Sequence, residues 1–133
     1  MKRKKIIILV LAIAAFIGVA YAGIQYYLDN IRPPKIAPAQ VVEQYFSSLQ
    51  KKDFKLAYSL VSQEYYHESV NQFIDRVSMY DPDMILEVSL EKIEEKTALV
   101  EVHIVVPLRF GIYESDSTMQ LVRAKREWKI IHP

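Results

Sequence analysis

The side chains able to do chemistry in this chain are few and scattered. Glu64 and His67 stand three apart with Glu68 beside them, a spacing that puts a carboxylate and an imidazole on one face of a helix. Metal centres take three or four ligands and a single Glu-x-x-His supplies two, so no metal is expected here. The absence of cysteine removes thiol nucleophiles, thiolate ligands and any disulfide framework. Gly18, Gly23 and Gly111 are the only glycines, and they form neither a phosphate-cradling loop nor a G-x-S-x-G elbow. An isomerase-type site needs a carboxylate base in apolar surroundings faced by neutral donors. Tyr45, Tyr58 and Tyr80 have the donor chemistry. Whether an acid or an imidazole faces them depends on where Glu87, Glu91, Glu101 and His103 point, and therefore on the elements that carry them. His132, next to last, is given no role because chain ends fray.

Helical periodicity starts at Ala39. Val42, Tyr45, Phe46 and Leu49 recur at i, i+3, i+4 and i+7 with Glu43, Gln44, Ser47 and Gln50 opposite, which predicts an amphipathic helix ending near Lys52. Asp53 is placed to cap a second helix with Phe54, Ala57, Tyr58 and Val61 on its apolar face, widened by Leu56 and Leu60. Ser69 with Gln72 forms a capping-box pattern for a third, which turns Val70, Phe73, Ile74 and Val77 inward. Asp81-Pro82-Asp83 closes the helical half.

Beyond Pro82 the period becomes two. Met84, Leu86, Val88 and Leu90 alternate with Ile85, Glu87, Ser89 and Glu91, and after the charged turn Lys92 to Lys96, Ala98, Val100, Val102, Ile104 and Val106 form the inner face of a stronger strand. Pro107 marks a bulge, bend or edge. A turn is expected at Glu114-Ser115-Asp116, a third strand from Ser117 to Ala124, and a last strand carrying Trp128, Ile130 and His132 after the turn Lys125-Arg126-Glu127. On this alternation Glu87, Glu91, Glu101 and His103 all point away from the core. No catalytic residue is therefore expected, and no cofactor.

Three helices followed by an antiparallel meander is an α+β layer pattern. Val41-Val42-Glu43-Gln44-Tyr45-Phe46-Ser47-Ser48-Leu49-Gln50-Lys51-Lys52-Asp53, continued by Ala57-Tyr58-Ser59-Leu60-Val61-Ser62, resembles the opening helices of the nuclear transport factor 2-like superfamily, in particular its small membrane-anchored bacterial members. Arg126-Glu127-Trp128-Lys129-Ile130-Ile131 is similar to that superfamily's closing strand. The resemblance implies a cystatin-like cone, a curved four-stranded sheet wrapped around the first helix of the domain, with a pocket that is catalytic in ketosteroid isomerase-like members and filled or merely binding in others. In such a cone Tyr45, Phe46, Tyr58, Phe73 and Trp128 would line the pocket.

The first residues set the location. Lys2-Arg3-Lys4-Lys5 precedes an apolar run from Ile6 into the aromatics Tyr21, Tyr26 and Tyr27. The 22 residues from Ile6 to Tyr27 make a helix of about 33 Å, enough to cross a hydrocarbon core of about 30 Å. The basic cluster keeps the N-terminus cytoplasmic and sends the remainder out, as a single-pass protein of the cell membrane. Ala20-Tyr21-Ala22 before Gly23 also fits the cleavage site of a secretory signal peptide over residues 1–22. The expected organisation is a tail and anchor over residues 1–28, a Pro-rich tether over 29–38, and an extracytoplasmic domain over 39–133. Of the formal net charge of +1 the basic cluster carries +4, leaving the exported part at −3, a balance that argues against nucleic acid as a partner. A cysteine-free exported domain points to a bacterial or archaeal surface protein.

Two functions fit. In the first the domain is a non-catalytic binding or assembly module, an accessory subunit of a membrane or envelope complex, with Tyr65, Tyr66, Glu101 and His103 on its interaction face. In the second it is a secreted or anchored small-ligand domain, or an enzyme of the ketosteroid isomerase-like type.

Overall fold

The computed structural model describes residues 2–78 and 83–132, with the backbone alone at His132. Tyr80 and the Asp81-Pro82 break lie outside the described residues. The chain forms two compact units, Met1–Pro33 and Pro34–Pro133.

The first unit is α1, Lys2–Asn30, with no buried residue. It is long and apolar enough to cross a membrane, as a signal sequence also is.

The second unit begins with α2, Pro38–Gln50, where proline takes a first-turn position whose N–H would have had no partner anyway. Val42, Tyr45, Phe46 and Leu49 are buried as their spacing requires, and Val41 joins them. Asp53 then caps α3, Phe54–Ser59, its carboxylate accepting the Leu56 N–H at 3.3 Å. The expected second helix is cut short. Ser62 N–H donates to the Ile130 carbonyl at 2.8 Å and Ile130 N–H to the Leu60 carbonyl at 2.9 Å, so the backbone leaves the helix to form a parallel bridge at Val61. Leu56, expected on the apolar face, is instead exposed, because six residues of helix bury only the side that carries Ala57. A further one-turn helix, α4 over Gln63–Tyr66, ends at His67 with φ 50°, so among the described residues of this unit four helices rather than three precede the sheet. In α5, Val70–Val77, the capping box forms in both directions between Ser69 and Gln72.

The sheet is an antiparallel meander of β1 (Ile85–Ile93), β2 (Thr97–Leu108), β3 (Gly111–Ala124) and β4 (Glu127–His132), in that spatial order. Two features differ from the alternation read above. A bulge between Val88 and Leu90 leaves Ser89 as an extra residue, so Leu90 turns to the exposed side and Glu91 comes opposite buried Val100 on the helix-facing side. Glu91 thus does not point away from the helices as expected. The second difference is the β2–β3 turn, which lies at Arg109-Phe110 and not at residues 114–116. Gly111, at φ 153°, supplies the backbone freedom that such a tight reversal needs. Glu114 and Asp116 then fall on the outer face of a strand paired along its whole length with β2. Pro107 lies beyond Ile85–Val105, the last pairing of β1, in the two-stranded part of the hairpin.

The core lies between α2 and the sheet. Val42, Tyr45 and Phe73 meet Val100, Val102, Met119, Leu121 and Ile130, all essentially inaccessible.

Candidate functional site

Four of the five aromatics proposed for a pocket form one packed group. The Tyr45 ring meets Phe46 at 5.3 Å and Phe73 at 6.4 Å, and Tyr58 meets Phe73 at 5.5 Å, all edge-on, the arrangement that ring quadrupoles favour. Spacing along α2 brings Tyr45 and Phe46 inward, and the capping box of α5 aims Phe73 at them. Trp128 enters the same core from β4 and is 5% exposed. Tyr58 is half-buried and donates its hydroxyl to the Glu68 carbonyl at 2.8 Å. None of the five borders either of two surface cavities. One, of about 240 Å³, lies at the β1–β2 end of the sheet among Lys92, Thr97, Leu99, Gln120 and Ile131. The other, a groove of about 680 Å³, runs along α2 between Ile36 and Leu56.

Over the aromatic group lies an ion pair that spacing did not reveal. Arg76 donates to both Glu68 oxygens, at 3.3 and 2.7 Å, with its guanidinium 5.4 Å from the centres of the Tyr66 and Phe73 rings. The hydrogen bonds to Glu68 outweigh burial and hold Arg76 firmly charged. The two partners are eight residues apart across a helix start, so no i, i+4 pattern announces them. Glu68 is thereby engaged away from His67, and no cluster of three or more metal-ligating side chains occurs among the described residues.

The four residues of the proposed interaction face are not alike. Tyr65 is exposed while Tyr66 packs against the core beneath Arg76. On the outer face of the sheet, Glu101 is exposed and His103 stands in a cross-strand row between Glu87 and Asp116. Its Nδ1 lies 2.7 Å from Asp116 and its Nε2 3.8 Å from Glu114. The Asp116 hydrogen bond, with the charges of Asp116, Glu114 and Glu87, raises the imidazole pKa above its ordinary value.

A second residue missed by alternation is Glu91, whose Oε2 accepts the Ala39 N–H at 3.0 Å in the first turn of α2. Only the bulge places it there, and nothing in the local residue pattern marks that bulge.

No family model matches the chain, and no curated protein matches it. Solved structures do. A nuclear transport factor 2-like protein of unknown function from Shewanella oneidensis MR-1 is similar at TM-score 0.54 and 10% identity over 69% of this chain and 89% of that one. Another from Pseudomonas putida KT2440, also of unknown function, gives TM-score 0.55 and 13% identity over 70% and 78%. The domain has the nuclear transport factor 2-like fold. A SEC-C motif-containing protein from Psychrobacter arcticus is similar to it at TM-score 0.58 and 14% identity, over 82% of this chain and 66% of that one. In this nuclear transport factor 2-like domain the place where a pocket would open, between α2 and the sheet, is occupied by Tyr45, Phe73 and Met119, each at most 1% exposed.

Proposed function

We propose that the chain is a single-pass, membrane-anchored binding or assembly module without catalytic activity, held outside the cytoplasm as an accessory subunit of a membrane or envelope complex. One observation carries the reading. The aromatics that a ligand would touch are packed on one another, whereas Leu90 and Leu99, 53% and 40% exposed, leave apolar surface on the outer face of the sheet. A buried core with apolar surface displaced outward suits a protein that meets other proteins better than one that encloses a substrate. Glu101 and His103 lie among these apolar positions and would set the partner's orientation.

The test is gentle detergent extraction of the full chain, followed by mass determination of the chain and of whatever migrates with it. The proposal expects an intact chain in a defined complex, released by a variant carrying Glu101→Arg and His103→Gln that still unfolds cooperatively. A lone chain shortened to begin near Gly23 would overturn it. The small-ligand or isomerase-like alternative has the fold in its favour, and a small molecule carried through the same purification would support it.

A further inference from the structure

The β2–β3 hairpin projects beyond the rest of the sheet. β1 ends its pairing at Ile85–Val105, and β4 pairs with β3 only from Gln120 onward, so among the described residues no third strand flanks residues 106–113. This unsupported end is apolar. Leu108 is 56% exposed, Phe110 94%, Ile112 68% and Tyr113 55%. Arg109 is the one charged residue from Val105 to Tyr113, and its guanidinium sits 5.7 Å over the Phe110 ring.

The distribution of these side chains identifies the kind of surface they meet. Leu108 and Tyr113 lie on the helix-facing side of the hairpin and Ile112 on the opposite side, with Phe110 at the tip. A protein docked on a sheet covers one face and leaves the other to water. Apolar groups on both faces and at the tip suit immersion in a medium that surrounds them, with tyrosine and arginine at headgroup depth. The remaining outer face of β3, carrying Glu114, Asp116 and Thr118, returns to polar character immediately beyond the tip.

Chain length puts such a medium within reach. Seven residues lie between the end of α1 at Asn30 and the start of α2 at Pro38, eight steps that span at most about 29 Å. The first turn of α2 is held at the level of Val100 through Glu91, and Leu108 is eight residues further along β2, about 26 Å away. The distance from the tether's attachment to the tip is thus comparable to the length of the tether. A bilayer holding α1 comes within reach of the tip whenever the tether is short of full extension, at high effective concentration.

We propose that the Leu108–Tyr113 hairpin tip is a second membrane contact, inserting Leu108, Phe110 and Ile112 at the headgroup–acyl boundary with Arg109 on lipid phosphates. The proposal rests on the anchored reading. Insertion would hold the domain against the bilayer in one orientation and present its outer sheet face sideways to a partner.

The full chain carrying Phe110→Trp, reconstituted in phosphatidylethanolamine–phosphatidylglycerol vesicles with brominated acyl chains, tests this directly. Phe110 is exposed, so the substitution leaves the fold intact, and the native Trp128 is buried and contributes a constant background. The same substitution at exposed Lys55 on α3 serves as the control. Bromination should remove emission at position 110 by roughly two-fold and leave position 55 unchanged. Equal emission with and without bromine at position 110, in a chain that floats with the vesicles, overturns the tip contact and leaves the anchor standing. A blue-shifted emission at position 110 without bromine quenching means that a second copy or another protein covers the tip, and overturns it as well. A chain that does not float with the vesicles removes the anchored reading itself, and the tip contact with it.

Discussion

His103 shows how a single side chain on a sheet face acquires its properties from strands far apart in the chain. Asp116 from β3 accepts its hydrogen bond, Glu114 lies beside Asp116, and Glu87 from β1 completes the acidic surroundings. The upward shift belongs to a group on an exposed face. Any stability it contributes is fully present below the ordinary imidazole value of 6.5 and is lost as pH rises through the higher folded value. An NMR titration of the His103 ring should give a midpoint above 6.5. Asp116→Asn, which keeps the size and removes the charge, should move that midpoint back down. An unchanged midpoint in the variant would show that Asp116 is not its cause. Residue spacing placed His103 on the outer face beside Glu101. The partners that tune it, Glu114, Asp116 and Glu87, are eleven, thirteen and sixteen positions away, and only strand register could name them.

At the scale of elements, the start of α2 depends on a residue from another layer. Ala37 at the helix cap has no side-chain oxygen to offer, although its own N–H donates to Gln40 at 3.1 Å. Glu91 supplies the missing acceptor from across the bulge in β1, and its negative charge lies at the positive end of the helix dipole. Glu91→Ala should destabilise the domain by about 0.5–1 kcal/mol, and Glu91→Gln, which retains an oxygen acceptor, by less. Urea unfolding of the two variants checks both the size and the order. Equal effects would assign the loss to packing. Helix starts marked by local chemistry, Asp53 and Ser69, were legible from their residues because cap and recipient lie three positions apart. The start of α2 was legible from Pro38, while its cap was not, because that hydrogen bond spans 52 positions.

For the whole molecule, α1 and the domain set different conditions. Near the midpoint of α1, Phe16→Arg should cost about 3 kcal/mol on transfer to the bilayer. Alkaline carbonate extraction should then find the variant in the soluble fraction and the parent chain in the pellet. Recovery of both in the pellet would count against a spanning α1. The amino-acid sequence by itself determined the apolar N-terminal helix, the change from a period near 3.6 to a period of two, and most inward-facing residues, Val42, Tyr45, Phe46, Leu49, Phe73, Val100, Val102, Trp128 and Ile130. These follow from neighbours within a turn or along one strand, and local sterics and hydrophobic patterning suffice to set them. Tertiary structure alone decided the early end of α3, where Leu60 and Ser62 exchange backbone hydrogen bonds with Ile130. It likewise decided the bulge that turns Glu91 toward α2, the Arg76–Glu68 pair over the aromatic group, and a hairpin tip at Arg109-Phe110 rather than at Glu114-Ser115-Asp116. Each depends on a partner brought close by the fold, and separation along the chain carries no information about that proximity.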